Sequence, residues 1–195
     1  MEFICHRINT IDELKNAPTD CGVEIDLRDN GNRIILAHDP FKDGEDFEDY
    51  LRHYNHGTMI LNIKSERIEH RVLELIQKYQ IIDYFFLDSS FPMIYLLTQE
   101  GEDNVALRYS EYEGLDTILN MKGKVKWIWV DCFNRLPITS ESYTLLKNHG
   151  FKLCLVSPEL QGQPEKIDEY KAYIESQQIE FDAICCKLNN IHRWK

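Results

Sequence analysis

Short runs of β-branched and aromatic residues alternate with longer amphipathic stretches from one end of the chain to the other. The short runs fall at residues 3–7, 22–28, 59–65, 84–89, 105–110, 126–133, 152–157 and 183–188. Their length, composition and flanking turn residues predict eight strands. A ninth apolar run, 33–38, follows Asp29-Asn30-Gly31-Asn32, a tight-turn sequence. It is read as an extension of the second element rather than a strand of its own. Between the runs lie helical patterns at 11–16, 66–79, 140–148 and 164–176. Asn9 or Thr10 caps the first, with Glu13 completing a capping box if Thr10 is the cap. Ser65 is the expected cap of the second, whose Ile68, Val72, Leu75 and Ile76 share one face.

Strand and helix alternating this regularly predict a parallel sheet with helices outside it. Eight such units closing on themselves give an α/β fold of the (β/α)8 TIM-barrel type, a single domain over residues 1–195. Barrels of this kind usually need about 250 residues, so this one requires short loops. An open doubly wound sheet is the alternative, but no G-x-G-x-x-G turn or phosphate loop supports it.

Charge narrows the function classes. The net charge of −11 excludes a nucleic-acid surface, which needs clustered Lys and Arg. It also means that an anionic substrate requires local cations, whether a metal or placed Arg and Lys. No apolar stretch reaches the ~18 residues of a transmembrane segment, and no signal peptide precedes the first strand. The six Cys include no C-x-x-C pair and sit mostly within strand-like runs, as buried thiols of a cytoplasmic protein.

In parallel barrels, reactive groups project from the C-terminal ends of strands. The first strand here ends in His6-Arg7, and His38-Asp39 closes the run after the second. On the second strand Glu24, Asp26 and Arg28 alternate with Val23, Ile25 and Leu27, so the charged residues share one face. With helices covering the outside, that face is the interior or its mouth. Two adjacent carboxylates there repel each other, and a divalent cation relieves the repulsion. An ion-paired network of Glu24, Asp26, Arg28 and Lys64 is the alternative. Asn62 and Lys64 face inward from the third strand by the same alternation. Asp88, Tyr109, Trp129, Asp131 and Lys187 are further pocket candidates, Trp129 as a stacking surface and Lys187 as a substrate-binding cation.

Taken in order, His6-Arg7, Gly22-Val23-Glu24-Ile25-Asp26-Leu27-Arg28 and Ala37-His38-Asp39 resemble the leading signature of the glycerophosphodiester phosphodiesterases. Ser89-Ser90-Phe91 resembles that family's Ser-Phe step, and the likeness fades in the C-terminal half. The resemblance implies that His6 and His38 are the acid/base pair, that Glu24 and Asp26 bind Mg2+ or Ca2+, and that Arg7 faces the phosphate. It implies a small-molecule phosphodiester as substrate, with hydrolysis or cyclisation as the outcome. The sequence departs from the family in three places. Ile8 stands where the family usually has Gly; the family's Glu-x-Lys or Asp-x-Lys step, which holds its third metal ligand, is Asn62-x-Lys64 here; and only residues 40–57 occupy the interval where the family carries a long insertion. An amide oxygen adds no charge, so Asn62 implies weaker metal binding. Two other readings follow from the residues: a catalytically impaired barrel that binds a phosphoester, and an unrelated barrel enzyme using Lys64 as a Schiff-base lysine. Against the latter, Glu24 and Asp26 would keep Lys64 charged.

Overall fold

A computed structural model describes every residue from Met1 to Lys195. It is a mixed α/β fold in two compact units, Ile4–Glu100 and Gly101–Lys195 together with Met1–Phe3.

The first unit is built around one long strand. β1 (Glu2–Cys5) contributes its last two residues, then come α1 (Ile11–Asn16), β2 (Gly22–Asn30), β3 (Arg33–Leu36), β4 (Glu45–Asp46) and α2 (Phe47–Leu51). β5 (Met59–Ile63), α3 (Glu69–Lys78), β6 (Tyr84–Leu87) and α4 (Phe91–Gln99) complete it. β2 runs parallel to β1 and to β5, and β5 runs parallel to β6. The near-continuous apolar composition of β5 and β6 suits strands buried on both faces.

β2 does two jobs along its length. Val23–Leu27 pair with Met59–Ile63 inside the parallel sheet, while Leu27–Asn30 turn at Gly31 and pair antiparallel with Arg33–Leu36. Gly31 holds φ at +63°, a backbone region open to glycine. The ninth apolar run is therefore a separate short strand and not a simple continuation. The turn reverses the chain, and the two-residue β4 adds a further antiparallel pairing to β3.

The second unit holds β7 (Ala106–Tyr109), α5 (Leu115–Asn120), β8 (Trp127–Val130), α6 (Ser140–Asn148), β9 (Lys152–Val156), α7 (Ile167–Ser176), β10 (Ala183–Cys186) and α8 (Ile191–Trp194). Its four strands pair in parallel in the order β7-β8-β9-β10. Glu2 belongs to this unit, its N–H donating to the Asp182 carbonyl at 2.8 Å.

The eight parallel strands stand where the hydrophobic runs predict them. Helix starts differ more. Thr10 does cap α1 in a capping box with Glu13. By contrast, α3 begins at Glu69 rather than after Ser65, because Arg67 takes a left-handed φ of 67° and the Ser65 hydroxyl instead accepts from the Asp29 N–H at 3.4 Å. The stretch from residue 164 opens with a 3-10 turn, Pro164–Lys166, before α7. All six cysteines are buried, and no helix is long and apolar enough to cross a membrane.

Candidate active site

At the C-terminal ends of β1, β2 and β5 the first unit gathers a set of polar side chains with few escape routes to water. Glu24 and Asp26 are each 1 % exposed. They sit two residues apart on β2, so both point to the same side of the sheet. Asp26 is in register with Asn62 on the neighbouring β5. The Asn62 Nδ2 donates to Glu24 Oε1 at 2.7 Å, and the Arg7 backbone N–H donates to Glu24 Oε2 at 2.7 Å. Arg7 reaches that position with φ at +56°, a strained conformation for a residue with a Cβ, and Asp88 at the end of β6 shows the same feature at +59°.

Asp26 is held from the other side by Asn9. The Asn9 Nδ2 donates to Asp26 Oδ2 at 2.8 Å, and the Asp26 N–H donates back to Asn9 Oδ1 at 2.9 Å. Arg7 Nε lies 3.5 Å from Asp26 Oδ2, and Lys64 Nζ lies 3.6 Å from Asp26 Oδ1 and 3.2 Å from Asp88. Lys64 thus supplies part of the positive charge the carboxylates need. Glu24 is less well compensated: burial first, then repulsion from Asp26, pushes it up from 4.5 to about 7, against the lowering effect of its bonds from Asn62 and Arg7 and of the Lys64 charge.

Two buried oxygens at this point, Asp26 Oδ1 and Asn62 Oδ1, accept no hydrogen bond. Unsatisfied buried oxygens are uncommon and costly. Hard oxygen donors, two of them anionic, match the coordination chemistry of Mg2+ or Ca2+. No group of three or more His, Cys, Asp or Glu comes together to hold a metal without help. A cation here therefore depends on the Asn62 amide, and the donor set fits one on that condition.

The two histidines have different surroundings. His6 Nε2 lies 3.8 Å from Glu24 Oε2, and its side chain is mostly covered. His38 is more open and pairs through Nδ1 with Asp39 Oδ1 at 2.8 Å, a bond that, as the largest cause, holds the Asp39 carboxyl below its ordinary value. That pairing assigns the proton on Nδ1 and leaves Nε2 for proton transfer.

Of the residues singled out from sequence, His6, Arg7, Glu24, Asp26, His38, Asn62 and Lys64 all belong to the first unit. Trp129 and Lys187 belong to the second. There Trp129 is buried on β8, in register with Arg108 and Cys154. Lys187 is exposed directly after β10, its backbone N–H donating to Glu159 Oε1 at 3.1 Å.

No protein-family model matches this sequence, and no curated protein matches it. Solved structures do. A glycerophosphodiester phosphodiesterase from Agrobacterium tumefaciens str. C58 aligns with a TM-score of 0.68 over 97 % of this chain and 98 % of its own, at 13 % identity. The fold is that of the glycerophosphodiester phosphodiesterases. A glycerophosphoryl diester phosphodiesterase from Parabacteroides distasonis ATCC 8503 aligns with a TM-score of 0.66 over 98 % of this chain and 85 % of its own, at 14 % identity. A second Agrobacterium tumefaciens protein, described as a putative glycerophosphoryl diester phosphodiesterase, gives 0.64 over 95 % and 92 %, at 11 % identity.

Two side chains that shape the site carry no site role that sequence pattern alone would give them. Asn9 grips Asp26, and Asp39 orients His38. The signal for Asn9 was its place between the end of the first strand and the Thr10 cap, where a short loop brings it back over the strand ends. Asp39 was visible only as the neighbour of a histidine.

Proposed function

We propose that this chain is a phosphoric diester hydrolase of the glycerophosphodiester phosphodiesterase type, acting on a small phosphodiester by open hydrolysis or through a cyclic phosphate. The observation that carries the reading is the buried Glu24–Asp26 pair beside two oxygens lacking hydrogen bonds, Asp26 Oδ1 and Asn62 Oδ1, set between His6 and the Arg7 and Lys64 cations. The fold likeness to phosphodiesterases over nearly the whole chain supports it. That same coverage supports the reading of one domain of the TIM-barrel type. The six buried thiols support a cytoplasmic setting.

In this reading Glu24, Asp26 and Asn62 hold Mg2+ or Ca2+, which would supply Lewis-acid charge to a phosphoryl oxygen. The chain's own residues carry the proton transfers. In an in-line displacement one imidazole takes the proton from the attacking hydroxyl and the other returns one to the leaving oxygen. His38 suits either role through Nε2, because Asp39 fixes its ring; His6 is the second. Arg7 and Lys64 oppose the charge on the phosphoryl oxygens, the local cations that an acidic chain must place deliberately.

The test is turnover of glycerophospho-alcohols, lysophospholipids and nucleotide-linked polyols with added Mg2+ or Ca2+, followed by phosphorus NMR. A monoester or cyclic phosphate that forms with wild type and not with His38→Ala supports the reading. The absence of a carboxylate at position 62 favours a second one, a barrel that binds a phosphoester without turning it over. Metal-dependent ligand binding with no product from any diester would select that alternative.

A further inference from the structure

We propose that Arg28 is a positioning residue that sets His38 and Lys64 relative to each other. The inference rests on the reading of His38 as a proton-transfer group. Arg28 is the third member of the inward face of β2, two residues beyond Asp26, and it forms no ion pair with any carboxylate. Its guanidinium is committed to backbone instead. Nε and Nη2 close on the His38 carbonyl at 3.2 and 2.8 Å, while Nη1 donates to the Lys64 carbonyl at 2.8 Å.

Those two carbonyls belong to segments that leave the sheet in different places, one after β3 and the other after β5. The backbone already anchors each segment to β2, Ala37 N–H donating to the Asp26 carbonyl at 3.0 Å and Lys64 N–H to the Leu27 carbonyl at 2.9 Å. Beyond those anchors the chain runs into the exposed loop at Asp39–Lys42, where Phe41 has φ at +61° and packs against nothing. Arg28 is therefore the side chain that ties the His38 backbone to the Lys64 backbone just ahead of that loop. A planar fork presents its donors in fixed directions and bridges two carbonyls with less freedom than an ammonium on a flexible stem. The same guanidinium forms one wall of an open cavity of about 560 Å³ that Phe41 and Lys42 also line.

Arg28→Ala and Arg28→Lys are compared with wild type, with a thermal melt as the folding control. The expected result is a fall in kcat of about tenfold or more in both variants with KM within about twofold, since the contact orients a reacting group and does not bind substrate. Added guanidinium ion at millimolar concentration restores part of kcat in Arg28→Ala and none in His38→Ala. A second readout needs no turnover. In nitrogen-labelled protein the His38 ring resonances broaden or shift in Arg28→Ala and move back with guanidinium. Unchanged ring resonances together with unchanged kcat in a folded Arg28→Ala overturn the proposal. A wild type with no turnover on any diester overturns the phosphodiesterase reading instead, and the ring resonances still decide the role of Arg28.

Discussion

Asn9 and Asp26 bind each other twice, the amide donating to the carboxylate at 2.8 Å and accepting from the same residue's backbone N–H at 2.9 Å. The closed pair fixes which carboxylate oxygen is occupied and leaves Oδ1 facing Lys64 with no hydrogen bond of its own. Removing the amide strips a bond from a buried charged group, which costs about 1–3 kcal/mol. Asn9→Ala is expected to lower the melting temperature and to weaken Ca2+ binding, measured by calorimetry, because the carboxylate is free to rotate. Unchanged values for both would show that the pair is incidental.

Glu24 carries a pH signature. Its carboxyl is raised from 4.5 to about 7 in the folded chain, so across that interval the folded state holds a proton that the unfolded state has lost. Stability of the metal-free protein is therefore expected to fall as pH rises from about 4.5 to 7 and to level off above, with Glu24→Gln flattening the trend. Melts across the pH range check this. Added Mg2+ or Ca2+ should raise the melting temperature most at the alkaline end, where the cation does not compete with the proton.

Asn62→Asp keeps the side chain's shape and adds a charge. In the metal-free protein it replaces the bond from Asn62 Nδ2 to Glu24 Oε1 with repulsion between carboxylates, so the melting temperature should drop. With metal present the third anionic donor should tighten the dissociation constant by about tenfold, roughly 1.4 kcal/mol. A variant that loses stability without gaining affinity would place the cation elsewhere.

His6→Ala and His38→Ala should each lower turnover by about a hundredfold or more without unfolding the chain. Asp39→Asn should cost about tenfold or more, since it weakens the bond that sets the His38 tautomer. The pH–rate profile separates the cases: Asp39→Asn shifts a limb of the profile, whereas His38→Ala removes it. Normal rates from either folded histidine variant would remove that histidine from the mechanism.

What was legible in the sequence followed from short-range rules. Alternation on β2 placed Glu24, Asp26 and Arg28 on one face, and the structure buries the first two there. The eight parallel strands were legible because each is a bounded apolar run. The hairpin of β2 and β3 was only half legible. Asp29-Asn30-Gly31-Asn32 announces a turn, but nothing local says that β2 belongs to two pairings at once. The grip of Asn9 on Asp26 joins residues 17 positions apart and the fork of Arg28 joins positions 10 and 36 apart, separations to which hydrophobic periodicity is blind. The start of α3 was missed because Ser65, a good cap by composition, is engaged by Asp29 across the sheet.

The double pairing of β2 also determines where this protein can acquire new parts. Its buried half carries Glu24 and Asp26, and its far end turns at Gly31, around which there is open space. Arg28 and the Ala37 backbone pin the returning chain below that turn. Residues added at the hairpin tip would enter open space, yet they would bear on the loop that follows His38, because Asn30 and Arg33 on either side of the tip both reach Asp43. An element carried there would couple to the chain leaving His38 instead of riding free of it.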